Sequence, residues 1–173
     1  MRYFLLEQDN GYANIPRSVN WFDKLLPGKV MESLRGLPDR EIFRVETGEN
    51  TVFIDYMADP FVMVSDRMKN CLSLFEPNML FREIVLLDGE KRAVQNYFVP
   101  FFPELECLTE NSEYTNWNYD LKYIELDESR LRDKAVFTIK GPQKQNTVIR
   151  LDVVESLLRR GAEGFMLKEV EVR

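Results

Sequence analysis

Apolar positions in this chain fall into short runs of strand length and two helical stripes. Tyr3-Phe4-Leu5-Leu6 is apolar without alternation and predicts a first strand, ended by the turn chemistry of Asp9-Asn10-Gly11. From Tyr12 to Pro38 the periodicity lapses. Pro16, Pro27, Gly28, Gly36 and Pro38 punctuate that stretch, and Trp21 and Phe22 read as anchors onto the core. A short helix fits Lys29 to Arg35. Glu41 to Glu46 and Thr51 to Asp55 then read as two strands around Thr47-Gly48-Glu49-Asn50, which predicts a β-hairpin.

The middle and the end of the chain are better marked. Ser65 is placed to cap a helix, Asp66 suits its first turn, and Met68, Cys71, Leu72 and Phe75 recur at i, i+3, i+4 and i+7. This predicts a helix over 65–75, stopped by Pro77. Phe81 to Leu87 predicts a strand, Asp88-Gly89 a turn, and Val94 to Phe102 a second strand that Pro100 and Pro103 push to a sheet edge or end. Leu121 to Leu126 reads as a strand, as does Lys134 to Lys140 before Gly141-Pro142, and Thr147 to Leu151 is extended. Asp152 is placed to cap a helix over 152–160 with Val154, Leu157 and Leu158 inward. Arg159 and Arg160 suit its negative end, and Gly161 its left-handed stop. Gly164 to Val170 makes a last strand. The elements predict an α+β fold, residues 1–173 as one domain, with a mostly antiparallel or mixed sheet and helices at 65–75 and 152–160.

Composition narrows the class. At 173 residues with 45% hydrophobic content and 12 Phe, the chain can build a substantial core. A pI near 4.9 argues against a nucleic-acid binder. No apolar run approaches the roughly 20 residues that cross a bilayer. The N-terminal run lacks the long apolar region of a signal peptide and reads better as a first strand. Cys71 and Cys107 sit among apolar neighbours and read as buried, reduced thiols, so a cytoplasmic protein is expected.

Charge is distributed unevenly. Between Glu104 and Glu128 lie eight acids and one base, Lys122, which leaves 21 acids against 22 bases elsewhere. The same stretch carries Tyr114, Trp117, Tyr119 and Tyr123. An acidic segment threaded with aromatics suits a basic protein partner better than a nucleic acid.

Catalytic chemistry is sparse. The chain has no histidine, which removes Ser–His and Cys–His nucleophile pairs and imidazole metal ligation. No cofactor motif is present. Gly161-Ala162-Glu163-Gly164 follows a helix rather than preceding one, the wrong dipole end for a phosphate. Asp55, Asp59 and Asp66 form the one candidate cation-binding carboxylate set, though Asp59 before Pro60 also reads as turn chemistry and Asp66 as helix-end chemistry. Glu104 and Glu106 could form a glycosidase-like pair, or be two surface glutamates.

Three pieces of sequence together resemble a known family. They are Tyr3-Phe4-Leu5-Leu6 with Ile15-Pro16 and Asn20-Trp21-Phe22-Asp23; Pro60-Phe61-Val62-Met63-Val64-Ser65-Asp66 with Phe81-Arg82-Glu83-Ile84-Val85-Leu86-Leu87-Asp88 and Tyr97-Phe98-Val99-Pro100; and Leu151-Asp152-Val153-Val154-Glu155-Ser156-Leu157-Leu158-Arg159-Arg160-Gly161 leading to Phe165. The pattern resembles the bacterial polymorphic-toxin immunity proteins of the eleventh catalogued type, earlier listed as a domain of unknown function, over nearly the whole chain. The resemblance implies a cytoplasmic α+β protein that binds and neutralises a toxin domain encoded beside it. It offers no catalytic, metal or cofactor residue to carry over.

The expected function is therefore non-catalytic protein binding. Glu104, Glu106, Glu110, Glu113 and Asp120 would supply a negative field, with Tyr114, Trp117 and Tyr119 as desolvated anchors. Two other classes stay open: a metal-dependent hydrolase using surface carboxylates, and a structural or adaptor domain that self-associates through a sheet edge such as the final strand.

Overall fold

The computed structural model describes residues 1–25, 29–131 and 133–173; Pro27 and Gly28 lie outside the described residues. In chain order the strands are β1 (Tyr3–Gln8), β2 (Arg17–Ser18), β3 (Arg40–Glu46), β4 (Tyr56–Met57), β5 (Met63–Val64), β6 (Leu80–Asp88), β7 (Ala93–Phe101), β8 (Glu104–Leu105), β9 (Glu113–Tyr114), β10 (Leu121–Tyr123), β11 (Glu125–Leu126), β12 (Val136–Ile139), β13 (Thr147–Arg150) and β14 (Phe165–Val172). The α-helices are α1 (Val30–Gly36), α2 (Asp66–Phe75) and α3 (Leu151–Arg159). The fold is α+β.

Two mixed six-stranded sheets run in the orders β11-β14-β1-β13-β12-β8 and β2-β3-β6-β7-β5-β4, and β9 and β10 form a separate two-stranded ribbon. The first sheet is covered on both faces, which explains the unbroken apolar run of β1. Its Leu6, with Phe4 beside it, joins Val136 and Ile149 in a core shared with α2, α3 and residues Tyr56, Val62 and Val64 of the second sheet and its approach. Its Tyr3 and Leu5 face the other way, onto Phe137, Val148, Leu105, Cys107, Leu126 and Leu131. Side chains alternate across a strand, so a strand buried on both faces must be apolar at every position. A further core under the second sheet gathers Leu34, Phe43, Ile54, Ile84, Leu86, Tyr97 and Val99.

Local signals were followed closely at α2. Ser65 Oγ accepts the Met68 N–H at 3.2 Å, and Met68, Cys71 and Leu72 are buried. The β6–β7 hairpin pairs in register from Leu80↔Phe101 to Asp88↔Ala93. Pro100 lies opposite Phe81, beyond the single Val64↔Phe98 bridge to β5, in an edge-like position. Met63 and Cys71 are core residues; burial also pushes the Cys107 thiol up to about 11.

Other expectations are corrected. Glu41 to Glu46 does not form a hairpin with Thr51 to Asp55. β3 instead runs parallel to β6, and residues 51–55 bond elsewhere: Val52 N–H to Asn14 and Asp55 N–H to Glu163. Leu121 to Leu126 is two short strands broken at Ile124, with β10 pairing β9 and β11 pairing β14. Arg150, not Asp152, occupies the cap position of α3, and Asp152 holds Arg150 in a bidentate pair at 2.9 and 2.8 Å. The inward residues of α3 are Val153, Val154 and Leu157; Leu158 is exposed. Trp21 packs onto the core under the second sheet, whereas Phe22 is exposed.

Asp88 ties the β6–β7 turn to the end of β3. Its carboxylate accepts the Glu90 and Lys91 N–H groups at 3.0 Å each, and the Thr47 N–H and hydroxyl at 2.8 and 2.7 Å. These bonds, led by that from Lys91, hold the carboxyl at about 2 against an ordinary 3.8. A depressed folded-state value gives stability that is complete above the unfolded value and lost as pH falls through the folded one. The urea midpoint should therefore fall between pH 3.8 and about 2. Asp88→Asn should be less stable at neutral pH and show a shallower fall across that window. Parallel pH profiles for the two proteins would show Asp88 to be dispensable.

Candidate functional site

The segment from Glu104 to Glu128 is a structural layer with a projecting tip. Leu105, Cys107, Leu126 and, half-buried, Leu108, Leu121 and Ile124 pack it onto the outer face of the first sheet. Burial of these residues fixes the frame, and the acids are left to face solvent or bases.

Most of the acids meet bases. Glu106 pairs with Lys140 at 2.5 Å, Glu113 with Lys122 at 3.1 Å and Asp120 with Lys144 at 2.7 Å. Glu125 pairs with Arg173 at 2.7 Å and Asp127 with Arg130 at 2.9 Å, while Glu128 lies 3.4 Å from the Met1 amino group. Glu104 and Glu110 are exposed, and neither has an ion pair among the described residues. Counting along the chain therefore overstates the negative field. Lys140 and Lys144, from the segment after β12, and Arg173, after β14, cancel much of it in place.

Two of the acids are structural. Glu125 is fully buried: Thr109 Oγ1 and Asn111 Nδ2 each donate to Oε2 at 2.6 Å. Its Oε1 faces Arg173 Nε, too obliquely for an aligned hydrogen bond. The Thr109 and Asn111 bonds outweigh burial and, with Arg173, hold its carboxyl below the ordinary range. Burial opposes ionisation of Asp120, but Lys144, the Leu121 N–H and Asn146 outweigh it and hold that carboxyl low as well.

The tip is the β9–β10 ribbon. Trp117 is 92% exposed, the most exposed large hydrophobic side chain among the described residues. Its backbone has φ 64, and Asn118 after it φ 53. A bulky residue in the left-handed region is held there by its surroundings. Hydrogen bonds from residues 143–144 and within the ribbon do the holding. Gln143 Nε2 donates to the Trp117 carbonyl at 3.3 Å, the Gln143 N–H to Asn118 O at 3.0 Å and the Lys144 N–H to Tyr119 O at 2.7 Å. The Asn118 N–H reaches Thr115 O, and Thr115 Oγ1 accepts the Asp120 N–H at 2.9 Å. Tyr119 is 58% and Tyr114 40% exposed. The structure thus brings together Tyr114, Trp117, Tyr119 and Asp120 on one braced ribbon, with Glu113 in its first strand. Glu104 and Glu106 lie apart on β8 and its exit, and Glu110 precedes the ribbon. Gln143 and Lys144 were not singled out in the sequence; their only signal was the Gly141-Pro142 turn before them.

A cleft of about 550 Å³ opens beside the ribbon, lined by Tyr119, Gln143, Lys144, Glu7, Asp59 and Met166 among others. The carboxylates proposed for a cation do not converge. Asp55 is buried and committed: it accepts from Ser65 Oγ, from Arg67 at 3.1 Å and from the Glu163 N–H at 2.8 Å. Asp59 is exposed in a loop, and Asp66 accepts from Asn70 in the first turns of α2. Among the described residues no three Cys, Asp or Glu side chains cluster as metal ligands. No helix of the described residues is long and apolar enough to cross a membrane.

No protein-family model matches the chain. No curated protein matches it in sequence either.

Proposed function

We propose that this chain is an antidote: a non-catalytic protein that binds a toxin domain in the bacterial cytoplasm, with the Trp117 ribbon as its principal contact. The observation that carries the reading is the indole of Trp117, left in water on a backbone fixed by hydrogen bonds within the ribbon and to residues 143–144. A large exposed aromatic serves no folding purpose, and preorganisation lowers the ordering cost of docking. The resemblance to immunity proteins supplies the kind of partner. The anchor, rather than a long-range field, supplies the affinity, because most nearby acids are already paired.

The experiment is co-expression and rescue. A tagged chain produced in its native host should retain a polypeptide in fixed stoichiometry. Expressing that polypeptide alone should arrest growth, and this chain should restore it. A chain that elutes alone, or a captured polypeptide that is harmless, would end the antidote reading.

A further inference from the structure

The outer edge of β14 is open, and the hydrogen-bond parity of the sheet shows which groups it presents. The Asp9 N–H donates to Gly164 O at 3.0 Å, so 9 and 164 form a bonded pair. The register continues through Glu7↔Met166, Leu5↔Lys168 and Tyr3↔Val170. Alternation therefore turns the main-chain groups of Met166, Lys168 and Val170 toward β1 and those of Phe165, Leu167 and Glu169 outward. The far end agrees: Arg173, of the outward set, donates to Leu126 O and accepts from the Glu128 N–H, each at 2.8 Å. β11 covers only Glu171 and Val172. Among the described residues nothing bonds the outward N–H and C=O groups of Phe165, Leu167 and Glu169.

The edge of β3 shows what a closed edge looks like in the same molecule. The Ile42 carbonyl accepts Lys24 Nζ at 2.7 Å, the Ile42 N–H is given to the Glu41 carboxylate at 3.0 Å, and the Arg44 carbonyl accepts the Val19 N–H at 2.9 Å. Side chains and a neighbouring segment block strand addition there. On β14 no such plug exists among the described residues.

We propose that the β14 edge from Phe165 to Glu169 accepts an extended strand of the protein partner by β-augmentation. The proposal rests on the preceding reading only in supposing a protein partner, not in placing Trp117. Evenly alternating donors and acceptors are matched by an extended backbone. A second copy of this chain fits poorly. Antiparallel self-pairing centred on Lys168 sets Lys168 against itself, on Glu169 sets Glu169 against itself, and on Met166 sets Glu163 opposite Glu169. Centred on Leu167, it sets Glu169 opposite Phe165 twice, although that carboxylate is already held by Arg2 at 2.6 and 2.8 Å. The chemistry of the guest follows from the pairs: apolar residues beside Phe165 and Leu167, and an acid beside Lys168.

The test uses the whole ¹⁵N-labelled chain and the peptide acetyl-Arg-Glu-Val-Thr-Val-amide, whose central Val would face Leu167. In the free chain, the Leu167 and Glu169 amides should exchange quickly and those of Met166 and Lys168 slowly. Millimolar peptide should slow exchange at Leu167 and Glu169 several-fold and leave the other pair unchanged. The same peptide with Pro at its centre should have no effect. Glu169→Pro removes an outward donor without touching the β1 ladder and should lose the response, while Glu169→Ala keeps it. Trp117→Ala should keep it as well, so the edge and the ribbon can fail separately. Outward amides already protected in a dimeric free chain, or no slowing by the Val peptide, would overturn the proposal.

Discussion

Replacing Trp117 with Ala should abolish partner capture at micromolar concentration while leaving the melting temperature within about 1 °C, as expected of a surface change. A Trp side chain offers about 150–250 Å² of surface, and burying apolar area is worth roughly 25 cal/mol per Å². Truncating such an anchor costs about 2–4 kcal/mol, on the order of 30- to 1,000-fold in Kd. The folded state loses little, because the 92% exposed ring supports nothing beneath it. Ala also tolerates φ 64 no worse than Trp does. Lys144→Ala removes the ion pair to Asp120 but keeps the main-chain bonds from residues 143 and 144 to the ribbon, so it should weaken capture far less than Trp117→Ala does. Raising the salt concentration should weaken capture far less than Trp117→Ala does, because six of the segment's acids already have local countercharges. If isothermal titration shows a steep salt dependence and an indifferent Trp117→Ala, the contact is electrostatic and the anchor is misassigned.

The largest effect on stability should come from Gly164→Ala. Gly164 links α3 to β14 with φ +87, and a Cβ there would lie 2.2 Å from Ile54 Cβ and 2.8 Å from Ile54 Cγ2. Ile54 is fully buried in the core under the second sheet, so it cannot yield. The flanking contacts hold the same junction: the Gly164 carbonyl takes the Asp9 N–H, and Glu163 and Asp55 exchange bonds through both main chain and carboxylate. Overpacking costs about 1–3 kcal/mol and a left-handed non-glycine about 1–2 kcal/mol. Together they give about 2–5 kcal/mol, or a fall in Tm of about 5–15 °C for a chain of this size. Gly161→Ala is the control. It shares the strain at φ +66 but has nothing within 4 Å of the added carbon, so it should cost only the strain, about 1–2 kcal/mol. Equal melting shifts for the two variants would mean that contact with Ile54 is unimportant.

What the sequence disclosed followed the range of the interactions involved. The α2 stripe, its Ser65 cap and the Asp88-Gly89 hairpin are local, and the structure holds all three. Strand pairing is not local. Alternation in Glu41 to Glu46 predicts an extended segment but carries no information about its partner, which lies 43 residues further along the chain in β6. The inward face of α3 was placed one position off at Leu158, because Val153, Val154 and Leu157 satisfy the same spacing and only the sheet beneath chooses between them. The acidic segment shows the same limit in charge. Its eight acids are visible in one dimension, whereas the bases that cancel them arrive from Lys140, Lys144 and Arg173 in three. Exposure of Trp117 was equally hidden, since an aromatic residue between two Asn gives no sign whether the chain turns its ring inward or out.

Amide exchange followed by mass spectrometry, on the chain alone and bound to the polypeptide it captures, decides whether the Trp117 ribbon is the contact. Slowed exchange should concentrate in residues 114–120 and in 143–144, which brace them. Unchanged exchange across the ribbon, with protection instead around Asp55, Asp59 and Asp66, would place the contact elsewhere.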